Sequence, residues 1–172
     1  MAAKTKIKIS DDMELRKVLD DEYENSSQIK LCRYALLLAE HILKTIDYHD
    51  ADSLAIKAGF AINESWQKGN ARMHHVRQAG FQIHRLAKSS QDMVIRMALR
   101  AVEQAVAAGH AREHAMVSSD YADRVINLLF PNDMAAVRRE RMWPVERLKS
   151  IEDPVILRIL LCRRSSVKRV SS

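Results

Sequence analysis

A chain of 172 residues, 47% hydrophobic and 29% charged, is long enough to bury a core of its own and too apolar for intrinsic disorder. Its net charge of +6 sits at one end, because ten basic and four acidic residues lie between Arg138 and Ser172 while the rest of the chain balances. Two cysteines far apart, Cys32 and Cys162, exclude a disulfide framework and a zinc ribbon and read as buried free thiols.

The opening stretch MAAKTKIKISDDMELRK has no apolar segment of the kind a secretory leader carries. No apolar run approaches the ~20 residues a membrane span needs. The expectation is a cytoplasmic protein with no membrane partner. Gly (4) and Pro (3) are scarce and strong helix formers abound, which predicts helices with short connections.

Residues 1–10 read as a flexible arm: Lys6-Ile7-Lys8-Ile9 alternates, but a lone strand has no partner. Ser10 reads as the start of a first helix over about 11–20. Asn25-Ser26-Ser27 caps a second helix to about Asp47, with Leu31, Tyr34, Ala35, Leu38, Ile42 and Ile46 on its apolar face. Asp50 or Asp52 caps a third, over 53–68, which Gly69 stops. Asn70 caps a fourth, with Met73, Val76, Gly80, Ile83 and Ala87 inward. Gly59 and Gly80 fall mid-helix, a placement that suits closely crossing helices.

Ser89-Ser90 caps a fifth, Ala-rich helix that runs past Gly109. Ser118-Ser119-Asp120 offers the cap of a sixth, ended by Pro131. Asn132-Asp133 caps a seventh, ended by Trp143-Pro144. Asp153-Pro154 opens a last short helix, VILRILLC, ahead of a basic tail. No hairpin turn and no fixed-period repeat appears. The fold class is all-α: a single domain over 11–150 of six to eight antiparallel stacked helices, with 151–172 as a short helix and basic tail.

One motif asks for chemistry. His110-Ala111-Arg112-Glu113-His114 spells H-x-x-E-H, the inverted zinc-protease pattern. On one helix His110 and His114 would share a face, and a third ligand would have to come from elsewhere; Glu140, Glu146 and Glu152 lie downstream, with no helical signature that singles one out. The alternative is that the stripe Leu99, Val102, Val106 simply continues through positions 110 and 114, so that the histidines occupy a packed face. Zinc binding through His110 and His114 stands as a minor reading.

No phosphate loop, dinucleotide fingerprint or nucleophile elbow is present, so neither an enzyme nor a cofactor is expected. Arg138, Arg139 and Arg141 are the candidate anion contacts, with Trp143 beside them to stack. They support a second reading, a nucleic-acid-associated helical protein using its basic C-terminal end.

The order of features carries further. The run LCRYALLLAEHIL is followed by AIKAGFAINESWQKGN, ARMHHVRQAGFQIHRLA, the Ala-rich stretch to HAREHAMVSSDYADRVINLL, and RRERMWPVERL. Over about 30–148 this resembles the Imm-5-like immunity-protein family of bacterial polymorphic toxin systems, with Trp66, Gly69, Arg72, His84, His110, His114 and Tyr121 at the family's places. The resemblance implies a helical, non-catalytic protein that neutralises a cognate toxin by binding it. It also implies that Trp66, Arg72, His84, His110, His114 and Tyr121 serve an interface or structural role. Inhibitors of nuclease toxins are usually acidic; this chain is basic, which points to an acidic or neutral toxin.

Overall fold

In a computed structural model of the chain, residues 7–48 and 53–156 are described. They form seven helices and no strand, as the all-α reading expects: α1 (Met13–Glu24), α2 (Gln28–Thr45), α3 (Ser53–Gln67), α4 (Met73–Ser89), α5 (Met93–Ala107), α6 (His114–Leu129) and α7 (Met134–Ser150). None of them is long and apolar enough to cross a membrane.

The centre of the molecule is α5. Ala98, Leu99 and every residue from Ala101 to Val106 are buried, so the helix is enclosed on all sides rather than on one stripe. Its alanines keep it thin, and α2, α3, α4 and α6 close around it. Gly59 marks the tightest crossing: a Cβ there would lie 2.8 Å from Ile83 Cδ1 and 3.1 Å from Val106 Cγ2. The first and last helices also meet, α1 packing against α7.

Several boundaries differ from the sequence reading. Asp12, not Ser10, caps α1, accepting from Leu15 N–H. Ser10 is held to α6 instead: its N–H donates to Asn127 Oδ1 (2.6 Å) and its carbonyl accepts from Asn127 Nδ2 (3.1 Å). Ser27 caps α2 and Asp133 caps α7, as expected. Asp92 caps α5 in place of Ser89-Ser90. Arg72, not Asn70, precedes α4 and makes no side-chain cap. Asp50 and Asp52 lie outside the described residues.

Two larger corrections concern α6 and α7. Ser118-Ser119-Asp120 caps nothing; it lies inside α6 and is buried. Its hydroxyls and carboxylate find partners across helices, so a polar run that resembles a cap in sequence is an interior network. The seventh helix does not stop before Pro144 but carries it, buried, to Ser150. Proline forfeits one hydrogen bond there, while Val137, Val145 and Leu148 bury both halves of the helix. A helical turn begins at Pro154, and the remainder of the expected last helix lies outside the described residues, as does Cys162. Cys32 is free and buried.

Candidate functional site

The fifth helix ends at Ala107, not beyond Gly109. His110 therefore lies in a turn and His114 opens α6, so the single helix that H-x-x-E-H requires does not form. The physical reason lies in the neighbours. A Cβ at Gly109 would sit 3.1 Å from Val76, 3.2 Å from Asn63 Nδ2 and 3.3 Å from Trp66, so these side chains close tightly on the turn where glycine leaves room for them. The carbonyls left at the end of α5 are satisfied from outside: Asn63 Nδ2 donates to Val106 O (2.7 Å) and Gln28 Nε2 to Ala108 O (2.9 Å). Arg112 then pins the turn to the end of α1, donating to Tyr23 O (2.6 Å) while its guanidinium lies 4.4 Å from the Tyr23 ring centroid.

Trp66 is set against this turn by the end of α3. Gly69, at φ 78°, takes the left-handed conformation that glycine adopts without cost. Asn70 N–H donates to Ser65 O and Gly69 N–H to Trp66 O, both at 2.9 Å. These bonds close the helix directly after the tryptophan, at Gln67.

The turn brings α4, α5 and α6 around one chain of polar groups. His114 Nδ1 lies 2.6 Å from Gln104 Oε1. Gln104 Nε2 donates to Glu103 Oε1 (3.3 Å). Glu103 Oε2 lies 3.1 Å from His84 Nδ1 and accepts from Arg100 Nη1 (2.6 Å). Arg100 Nε and Nη2 then donate to the Tyr121 hydroxyl at 3.2 and 3.0 Å. The His110 ring stacks on His114 with centroids 6.1 Å apart. A recess of about 180 Å³ opens beside this chain, lined by Arg77, Gly80, Phe81, Ala107 and both histidines together with Glu103 and Gln104.

Burial sets the electrostatics. Desolvation raises the Glu103 pKa above its ordinary value, while Arg100 and His84 oppose the rise. Desolvation lowers the pKa of His114, and His110 beside it lowers it further. Both shifts favour the uncharged form in a low-dielectric recess.

Of the residues that the resemblance singles out, Trp66, His84, His110, His114 and Tyr121 all border α5 or the turn after it. Arg72 stands apart, exposed before α4. Sequence reasoning missed Arg100, Glu103 and Gln104, which join the others. The signal for Glu103 and Gln104 was a charged and an amide residue inside the otherwise apolar run Ala101 to Ala108, a place where a polar group must find a partner.

The three candidate anion contacts diverge. Arg141 is fully buried and spends its charge internally. Its Nε and Nη2 grip Asp11 at 2.9 Å each, Nη1 donates to Ser119 Oγ (2.7 Å), and Asp120 and Asp123 close the cage. Burial raises Asp123 well above the usual carboxylate range, with Arg141 pulling the other way. Arg16 joins this network through Asp20 and Asp120. Arg138 is ion-paired with Asp12. Arg139 is exposed and borders a cavity of about 280 Å³ with Phe130, Glu140 and a His41–Trp143 stack at 4.2 Å. The three do not form a common basic patch.

Residues 21–151 match the family described as Imm-5 like putative immunity protein. No curated protein and no solved structure matches the chain. The matched span runs from the last turns of α1 through α7, so it takes in the recess and the central helix together.

Proposed function

The chain belongs to the Imm-5 like immunity-protein family, and from that premise we propose that it neutralises a cognate bacterial toxin by binding it directly. The observation that carries this reading is the extent of the family match, which spans nearly the whole helical body rather than one motif. The chemistry of the recess agrees with occupancy rather than turnover. No Ser, Thr or Cys lines it, and its Glu103, Gln104 and His114 are already engaged with one another and with Arg100 beside it. A fixed network of this kind holds a surface in one shape, which lowers the ordering cost of binding.

The test is protection. The product of the adjacent gene is expressed under a tight promoter with and without this protein, and growth is followed. Rescue together with a stable one-to-one complex of the purified proteins is the expected result. Unchanged toxicity and no complex by calorimetry would remove the reading.

A further inference from the structure

Away from the C-terminal end the charges balance in number, but they do not balance in space. Between Ser65 and Val102 the only acidic residue is Asp92, against Lys68, Arg72, Arg77, Arg85, Lys88, Arg96 and Arg100. The fourth helix contains no Asp or Glu at all. It buries Val76, Gly80, Ile83 and Ala87 against the core. On the opposite side His74, Arg77, Phe81, Arg85 and Lys88 follow at spacings of three and four, and every one is exposed, so they form a single stripe. Among the described residues no carboxylate pairs with Arg72, Arg77, Arg85 or Lys88, whereas Arg16, Arg100, Arg138 and Arg141 are all paired inside the fold.

A face kept only for solubility mixes signs, because an acid four residues from a base stabilises a helix by roughly 0.2–0.5 kcal/mol. This helix lacks such pairs and exposes apolar side chains among its cations instead. Phe81 is 49% exposed and Met73 51%. Leu54, 77% exposed on α3, borders Arg85 in the groove alongside. Arginine with aromatic and methionine side chains is the composition enriched in protein interfaces.

Resting on the immunity reading, we propose that the outer face of α4 is the surface that docks the toxin, and that the toxin meets it with an acidic face. A protein partner fits better than a nucleic acid. Between Arg77 and Phe81 the face opens into the recess, where Gly80 and Ala107 suit an apolar side chain of the kind a protein surface offers. The cations of the stripe draw the acidic partner in and set its orientation, and Phe81 supplies apolar contact at the centre.

Two triple charge reversals separate placement from net charge. One is Arg77→Glu/Arg85→Glu/Lys88→Glu on the stripe. The other is Lys17→Glu/Arg33→Glu/Lys149→Glu, at exposed residues of α1, α2 and α7. Each takes the net charge from +6 to zero, and helical circular dichroism verifies the fold. Affinity for the purified toxin domain is measured at about 0.15 M salt. The stripe variant should lose at least ~10-fold and the control less than ~3-fold, with Arg77→Gln/Arg85→Gln/Lys88→Gln falling between. Equal losses in both reversals, or no loss in the stripe variant, overturn the proposal.

A wild-type protein that does not bind the toxin defeats the immunity reading itself. The stripe is then probed with a poly-L-glutamate chain and a DNA duplex of matched charge by fluorescence anisotropy. Preference for polyglutamate that disappears in the stripe variant upholds an acidic protein partner. Preference for the duplex assigns the face to nucleic acid and overturns it.

Discussion

Replacing Arg141 with Met keeps much of the side-chain volume and removes the charge. Three carboxylates, Asp11, Asp120 and Asp123, then share a buried space without their common partner. Removing one member of a buried ion pair costs about 3–5 kcal/mol, because the charge left behind is uncompensated. A domain of this kind has only about 5–15 kcal/mol in all. With a urea slope of about 2 kcal/mol per M, the unfolding midpoint should fall by about 2 M. Urea titration followed by circular dichroism at pH 7 and at pH 5 measures it.

The pH dependence separates charge from packing. Arg141 is what holds the Asp123 pKa down against burial, so its loss raises that pKa further. Folded wild type already holds this proton more tightly than the unfolded chain and the variant holds it more tightly still, so the variant's stability falls over a wider pH range above 3.8. The deficit against wild type should therefore be no larger at pH 5 than at pH 7. A variant within about 1 kcal/mol of wild type at pH 7 would refute the reasoning. A deficit larger at pH 5 than at pH 7 would contradict the part assigned to Asp123.

Three further outcomes are expected. Gly59→Ala forces a methyl against Ile83 and Val106; overpacking of about 1–3 kcal/mol outweighs the ~0.5–1 kcal/mol that alanine adds to a helix, so the melting temperature should fall, and an unchanged or higher value would contradict the crossing geometry. His114 has its pKa lowered from 6.5, so the unfolded chain binds the proton more tightly and stability is lost as pH falls through 6.5. His114→Gln should flatten the stability profile between pH 7 and 5, and a profile as steep as wild type would remove His114 as the cause. Burial pushes the Cys32 thiol up to about 12; in a Cys162→Ser background, Ellman's reagent at pH 8 should find no reactive thiol until denaturant is added, and prompt reaction of the native protein would show the site open.

Helix number and most helix positions were legible, because apolar spacing of three and four is a local signal that each helix carries by itself. So were the breaks at Gly69, Ser27 and Asp133, whose cap chemistry acts within a few residues. The end of α5 was not. The stripe from Leu99 through Val106 extends smoothly to positions 110 and 114, and only Val76, Asn63 and Trp66, brought from α3 and α4, show why the chain turns at Gly109. Pro144 likewise ends a helix by local rule and is overruled by burial on both sides of it.

Sequence by itself determined the helical class and the family pattern, since each is written in neighbouring residues. Tertiary structure alone decided the fate of the charges. Arg138, Arg139 and Arg141 lie within four positions and read alike in sequence. In the fold one is ion-paired with Asp12, one is exposed, and one is caged by carboxylates from the N-terminal segment and α6. Arg77, Arg85 and Lys88 are diluted in the count of a balanced chain, yet they stand together on one open face of α4. Whether a charge faces a partner within the protein or one outside it depends on which helices pack beside it, and no local stretch of sequence holds that information.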